Sequence, residues 1–129
     1  MIYIDSSVAL AQLLFESRAP RASLWRELLV SSRLLEYELW NRVHAYRLTG
    51  TRGDDVRAIL ALVDMIEMTR PVLARALEAF PISIRTLDGL HLATLDSLRR
   101  HAREAIELAS YDSRMLAAAR ALGIEIATL

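Results

Sequence analysis

Four acidic residues are the side chains in this sequence best suited to chemistry. Asp5 and Asp112 each follow a short apolar run typical of a buried strand, and Glu38 and Asp88 lie on the inward side of predicted helices. Because the carboxyl ends of parallel strands meet at one edge of a sheet, such a sheet could gather all four side chains. Clustered carboxylates raise one another's pKa unless a cation offsets their repulsion. The pattern therefore predicts a divalent metal site.

The two ends of the chain carry the same strand–carboxylate–helix unit. Residues 1–4 are an apolar run that stops at Asp5 and leads into a predicted helix over 8–15. Residues 106–111 lead through Asp112 into a predicted helix over 115–122, and Gly123 suits a left-handed helix C-cap. Asp5 and Asp112 are thus expected at the carboxyl edge of one sheet.

Between these units the chain alternates short apolar strands with longer helices. Helices are predicted over 22–29, 34–48, 54–63, 72–79 and 87–98, and strands over 30–32, 66–69 and 124–126. Residues 82–85 are predicted to be extended, and Thr86 is predicted to cap the helix that follows. Gly50 is predicted to end the helix over 34–48. This alternation predicts an α/β fold with a mostly parallel sheet and helices on both faces.

Glu38 is the acid whose position is hardest to explain by surface exposure. It lies three residues after Leu35, inside the apolar arc of its helix, whereas Glu36 falls at the edge of that arc. Glutamate is rarely buried unless it is paired or bound to a metal. A structural alternative is an intrahelical pair with Arg42, four residues further on.

The other three acids also have ordinary structural explanations. Asp5 and Asp112 each precede a helix, where aspartate is a favoured N-cap. Asp88 lies in a first turn, where a negative charge favours the helix dipole. Ser6, Thr86 and Ser110 flank these acids and could orient them or simply cap helices.

Several other polar or aromatic residues have weaker claims to a functional role. His91 lies one turn after Asp88 and is expected to be a hydrogen-bonded core residue, and Asp96 is expected to be solvated or at the rim of the cluster. Surface positions are expected for His44 and His101, and packing positions for Trp25 and Trp40.

The composition limits the possible classes of protein. The 129 residues, 53% of them hydrophobic, predict a single domain over 1–129. The absence of cysteine excludes disulfides and thiolate metal sites. The opening apolar run does not resemble a signal peptide, and no apolar stretch approaches the ~20 residues of a membrane span. A cytoplasmic protein without membrane contact is expected.

The charges balance, with 16 basic and 16 acidic residues. Any contact with nucleic acid must therefore be local, because the whole molecule has no net attraction for phosphates. All basic residues are arginine, which suits bidentate phosphate contacts, and lysine is absent.

In four segments the chain resembles a known family. They are residues 2–7 (IYIDSS), 31–39 (SSRLLEYEL), 84–94 (IRTLDGLHLAT) and 110–112 (SYD). In this order and at these separations, they resemble the PIN domain family, and within it the small VapC-type toxins of toxin–antitoxin pairs. The resemblance extends over essentially the whole chain, with Ser110 where family members often have threonine.

The resemblance implies a function and an architecture. It implies that Asp5, Glu38, Asp88 and Asp112 bind Mg²⁺ or Mn²⁺ and that the protein is an endoribonuclease toxin hydrolysing RNA phosphodiester bonds. It also implies a three-layer α/β/α fold with about five mostly parallel strands, a homodimer and a cognate antitoxin protein that lies near the active site.

An all-oxygen cluster suits Mg²⁺ or Mn²⁺ better than zinc. We expect Asp5 to be the central ligand, Asp88 and Asp112 to be further ligands, and Glu38 to be a ligand or a base that orients water. Such a metal site would cut RNA to leave a 5′-phosphate and a 3′-hydroxyl.

Two enzyme classes share the opening aspartate but lack other required residues here. Receiver domains typically need a lysine, which is absent, and phosphoaspartate phosphatases typically use Asp-x-Asp, whereas position 7 is Ser7. The alternative function that stays open is a catalytically silent PIN-like protein-interaction module.

The apolar helices predict surfaces that the sheet alone cannot cover. We expect a homodimer, the commonest assembly. We also expect the antitoxin to place an amphipathic segment in a groove beside Phe15, Leu24 and Trp25.

Overall fold

A five-stranded, entirely parallel sheet forms the centre of the computed structural model, which describes residues 1–129. The α/β fold predicted from the sequence is therefore confirmed. The strands, in chain order, are β1 (Ile2–Ile4), β2 (Leu29–Ser32), β3 (Val63–Ile66), β4 (Glu107–Ala109) and β5 (Glu125–Ile126). Their order across the sheet is β3-β2-β1-β4-β5.

The strand order reverses direction beside β1. The chain first adds β2 and β3 on one side of β1 and then returns to add β4 and β5 on the other. Ile4 pairs with Ala109, so Asp5 and Ser110 leave their strands side by side. A crevice at such a reversal is where open α/β sheets bind ligands.

The chain forms six α-helices, five of which supply side chains to the apolar cores on the two faces of the sheet. They are α1 (Ser6–Leu13), α2 (Leu34–Ala45), α3 (Thr49–Leu60), α4 (Arg70–Leu77), α5 (Thr86–His101) and α6 (Ser113–Ala121). The first three helices build one apolar core, while α5 and α6 build the other. The three-layer architecture expected from the sequence is thus present.

Successive side chains of β1 point to opposite faces of the sheet and so belong to different cores. Ile2 and Ile4 belong to the core beneath α1, α2 and α3, whereas Tyr3 belongs to the core beneath α5 and α6. Tyr3 is completely buried. Its hydroxyl therefore lies inside the second core, close to the start of α5.

The helix predicted over 22–29 and the strand predicted over 66–69 are wrong in extent. Only a 3₁₀ turn forms, at Ala22–Arg26. Leu29 instead begins β2, where it pairs with Ile2 and with Val63. Pairing with β2 also fixes β3 at Val63–Ile66, three residues before the predicted strand. Burial of Leu29 and Val63 in the sheet outweighs the helical pattern of the sequence around them.

The helix predicted over 34–48 ends earlier than expected. Arg47 adopts a left-handed conformation with φ of 56° and ends α2 near Ala45, so Gly50 lies in the first turn of α3. Tyr46, which follows the end of α2, is 55% exposed as a result. The prediction for Gly123 is confirmed, since it takes a positive φ of 74° just after α6.

The prediction that Thr86 caps α5 is also wrong. The residue at the N-cap is Arg85, which makes no side-chain capping bond, and Thr86 is the first helical residue. Because Arg85 has no capping role, its side chain is free to reach acidic groups nearby.

The groove expected beside Phe15, Leu24 and Trp25 is not formed as predicted. Leu24 is completely buried in the first core, and Trp25 packs against that core. Phe15 is 69% exposed and lies with Leu13, Ala58 and Ile59 around a surface hollow of about 160 Å³. The exposed apolar surface on this side therefore lies between α1 and α3.

None of the helices combines the length and the apolar character that crossing a membrane would require.

Candidate active site

All four acids singled out from the sequence line one cavity of about 540 Å³. We call it the acidic cavity. It lies at the carboxyl edge of the sheet, where β1 and β4 end. Three arginines, Arg18, Arg42 and Arg85, also line it. Parallel strands thus gather side chains that are more than a hundred residues apart in the sequence.

Asp5 is buried at the floor of the cavity, with only 3% of its surface exposed. One carboxylate oxygen accepts hydrogen bonds from the Ser7 amide at 3.0 Å and the Ser7 hydroxyl at 2.5 Å. The other accepts one from the Ser110 hydroxyl at 2.5 Å. The hydrogen bond from the Ser7 amide is the helix cap expected of Asp5, and the serine hydroxyls fix the orientation of the carboxylate.

The environment of Asp5 disfavours its negative charge. Burial raises the pKa of the Asp5 carboxyl above its ordinary value, although hydrogen bonds from Ser110 and Ser7 act in the opposite direction. A cation in the cavity would reduce this electrostatic cost. The same carboxylate therefore caps a helix and offers a charge that needs a counterion.

Glu38 reaches the cavity from α2 and is held at both of its oxygens. Ser6 donates a hydrogen bond to Oε2 at 2.9 Å, and Nε2 of His91 lies against Oε1. The Glu38 side chain is only 12% exposed. Arg42 does not pair with Glu38 and lies over the ring of Tyr46 instead. The structural alternative of an intrahelical Glu38–Arg42 pair is therefore wrong.

Asp88 and Asp112 are joined by Arg85. Nε of Arg85 donates to Asp88 at 3.1 Å, and an Nη of the same guanidinium donates to Asp112 at 2.7 Å. The hydrogen bond with Asp88, together with the charge of both acids, raises the pKa of Arg85. Asp112 also caps α6 through the amides of Arg114 and Met115.

The chemistry of the donors fits a hard divalent cation, because every candidate ligand offers oxygen. In the side-chain positions of this structure, however, no three acidic or histidine side chains converge closely enough to hold an ion. Arg85 spans Asp88 and Asp112, and serine hydroxyls donate to both oxygens of Asp5. Arg85 would have to move aside for these acids to share an ion.

The sequence reasoning missed the role of Arg85 and the surroundings of His91. The sequence pattern places Arg85 only in an extended stretch, although its position three residues before Asp88 matches a helical ion-pair spacing. His91 is buried in the core, as expected, but it also contacts Glu38 and Tyr3. The surface positions expected for His44 and His101 are confirmed.

The expectation that Asp96 is solvated or lies at the rim of the cluster is wrong. Asp96 is completely buried and accepts hydrogen bonds from Arg75, Arg99 and Arg100 at 2.7–3.0 Å. Although burial alone would raise the pKa of Asp96, the bonds from Arg75 and Arg99 lower it below the ordinary value. Asp96 therefore joins α4 to α5 and does not line the acidic cavity.

Comparison with known proteins agrees with this geometry. The family model described as PIN domain matches residues 2–121. The chain is 36% identical over 132 residues to Ribonuclease VapC46 of Mycobacterium tuberculosis (strain ATCC 25618 / H37Rv), covering 97% of this chain and 95% of the relative. It is 29% identical over 135 residues to Ribonuclease VapC47 of M. tuberculosis (strain CDC 1551 / Oshkosh), covering 99% and 96%. The chain belongs to the PIN domain family.

Proposed function

We propose that this protein is an endoribonuclease that hydrolyses RNA phosphodiester bonds with Mg²⁺ or Mn²⁺, and that it is the toxin of a toxin–antitoxin pair. The observation that carries the proposal is the meeting of Asp5, Glu38, Asp88 and Asp112, from four parts of the chain, around one cavity. The ribonuclease names of both relatives support the choice of RNA.

Each acid has a distinct proposed task. Asp5, whose burial disfavours an uncompensated charge, is the central ligand, and Asp88 and Asp112 are further ligands. Glu38, held by Ser6 and His91, is either a ligand or the base that orients the attacking water. A divalent ion bound here would lower the pKa of that water and stabilise charge on the phosphate. The products would carry a 5′-phosphate and a 3′-hydroxyl.

The arginines of the cavity wall provide the contacts that RNA needs. Arg18 and Arg42 each line the acidic cavity, and each lies over a tyrosine ring, Tyr111 and Tyr46 respectively. Guanidinium groups bind phosphate oxygens in a bidentate manner, and tyrosine rings stack on unpaired bases. This arrangement supports a single-stranded RNA substrate and supplies the local positive charge that the neutral molecule lacks overall.

One observation favours the alternative, a catalytically silent module that only binds a partner protein. Arg85 already neutralises Asp88 and Asp112, and three acids do not converge on one point. A silent module would keep this ion pair permanently. An enzyme would exchange it for a metal ion.

The antitoxin and a second copy of the chain are the partners that we propose. Phe15 and the hollow between α1 and α3 offer an apolar surface to an amphipathic antitoxin segment. An arginine on that segment could enter the acidic cavity and exclude the metal. Binding of the antitoxin should then weaken when the Mg²⁺ concentration is raised and when Phe15 is changed to Ala.

Sedimentation of the isolated chain tests the expected homodimer.

A cleavage assay separates the enzyme from the silent module. The purified chain, free of any partner, is incubated with total cellular RNA in Mn²⁺, in Mg²⁺ or in chelator, and the cut ends are mapped. The proposal predicts metal-dependent internal cuts with 5′-phosphate ends. RNA left intact under every condition would favour the silent module.

A further inference from the structure

A polar pair crosses the second apolar core and ends at the acidic cavity. Tyr3 and His91 are both completely buried, and the Tyr3 hydroxyl lies 2.8 Å from Nδ1 of His91. Their rings meet edge to face at 5.9 Å. Burying a hydroxyl and an imidazole is unfavourable unless each polar atom finds a partner, so the directions of their hydrogen bonds are informative.

The Ser32 amide of β2 and the Glu38 carboxylate together determine the direction of the bond between Tyr3 and His91. The amide of Ser32 donates to the Tyr3 oxygen at 3.0 Å. Tyrosine hydroxyls ordinarily lose their proton only near pH ~10, so the buried Tyr3 hydroxyl keeps its proton at neutral pH. That proton is the only one that the hydroxyl can donate. Nδ1 of His91, 2.8 Å away, accepts that proton, because Nε2 of the same ring faces an oxygen of the Glu38 carboxylate, which is an acceptor.

The tautomer of His91 follows from this direction. When Nδ1 accepts from Tyr3, the imidazole proton resides on Nε2. Nε2 lies against Oε1 of Glu38, so its N–H donates to that carboxylate. With Ser6 donating to Oε2, each oxygen of Glu38 receives one fixed donor. The remaining lone pairs stay available to the cavity.

We propose that Tyr3 and His91 are positioning residues, which hold the Glu38 carboxylate in its active orientation. They act through a chain of hydrogen bonds that runs from the Ser32 amide to the Tyr3 hydroxyl, then to the His91 imidazole and finally to Glu38. The inference rests on the proposed function, because it assigns a purpose to the fixed orientation of Glu38. Partners of this kind around a metal site typically change metal affinity or activity roughly 10- to 100-fold when they are removed.

Tyr3→Phe is the decisive variant, because it removes one oxygen and preserves the ring that fills the core. We expect turnover on a short single-stranded RNA with a mapped cut site to fall about tenfold or more, with little change in KM. Mn²⁺ affinity, measured by calorimetry without RNA, should fall as well. In ¹⁵N NMR, the wild-type protein should show His91 protonated at Nε2, and Tyr3→Phe should lose that fixed preference.

Two substitutions of His91 separate positioning from packing. His91→Leu keeps bulk but removes the donor, whereas His91→Gln keeps an N–H that can reach Glu38. Gln should restore part of the activity that Leu loses. His44→Gln, which alters an exposed histidine outside the cavity, is the matched control and should behave as wild type.

Specific results would overturn the inference. Wild-type protein with the His91 proton on Nδ1 would contradict the hydrogen-bond direction. A folded Tyr3→Phe protein with unchanged turnover and Mn²⁺ affinity would leave the pair only a packing role. If the wild type cleaved no RNA, the proposed function would fail, while the NMR and Mn²⁺ measurements would still decide this inference.

Discussion

At the scale of single residues, two of the acids in the cavity serve the fold and the proposed chemistry together. Asp5 and Asp112 cap α1 and α6 through one carboxylate oxygen each, while the other oxygen accepts from Ser110 in Asp5 and from Arg85 in Asp112. Helix capping and ligand binding are therefore not competing explanations for these residues. The variants that separate the two roles are those that keep the cap and remove the charge.

Asp5→Asn is expected to be at least as stable as the wild type at about pH 7 without metal. A carboxyl whose folded pKa is raised stabilises the fold below its ordinary pKa of about 4, and this contribution is lost as pH rises through the raised value. Ionised Asp5 thus opposes folding at neutral pH, and asparagine does not. Thermal unfolding measured from about pH 7 down to about pH 4 should show the advantage of the variant shrinking. A constant loss of stability at every pH would contradict this account.

Glu38→Gln should reduce RNA cleavage by at least ~100-fold, as expected for a ligand or a general base. Glu36→Gln is the matched control, since Glu36 pairs with Arg33 at the surface, away from the acidic cavity. Initial rates in Mn²⁺ provide the comparison. Equal losses for both variants would show that Glu38 has no special role.

Arg85→Gln should bind Mn²⁺ about tenfold more tightly, because the guanidinium that neutralises Asp88 and Asp112 is removed. Calorimetry without RNA measures the effect. Arg57→Gln, which changes an exposed arginine paired with Asp54 outside the cavity, is the control. An unchanged affinity in Arg85→Gln would mean that these acids do not contribute to the metal site.

At the scale of elements, the carboxyl edge of the sheet positions the cavity, and the sequence carries most of the information needed to predict it. The apolar runs before Asp5 and Asp112 identify β1 and β4, and the phase of α2 places Glu38 inward. Contacts between distant segments of the chain cannot be predicted from these local patterns. The extent of β3 depends on its pairing with β2, and the burial of Asp96 depends on arginines from two helices.

The buried cluster around Asp96 should contribute to stability and not to catalysis. Asp96→Asn removes the charge that Arg75, Arg99 and Arg100 share, which is expected to cost about 3 kcal/mol of unfolding free energy. Because the folded pKa of Asp96 is lowered, its stabilisation is present above the ordinary carboxyl pKa and is lost as pH falls through the lowered value. Urea unfolding should show the wild type losing this advantage over the variant in acid. A variant as stable as the wild type at neutral pH would contradict this role.

At the scale of the whole molecule, the surface combines one acidic cavity with separate apolar areas. Leu77 is 89% exposed on α4, and Phe15 is 69% exposed after α1. The proposed homodimer and antitoxin would cover such areas. The acidic cavity carries its own arginines for RNA.

Metal-dependent cleavage of RNA by the wild type and by Asp5→Asn is the most direct test of the proposed function. Both proteins, purified without a partner, are incubated with the same RNA in Mn²⁺ and in chelator, after thermal unfolding has shown that both are folded. The account predicts internal cuts by the wild type in Mn²⁺ only, and no detectable cuts by Asp5→Asn. Cleavage by Asp5→Asn at the wild-type rate, or wild-type cleavage that persists in chelator, would contradict it.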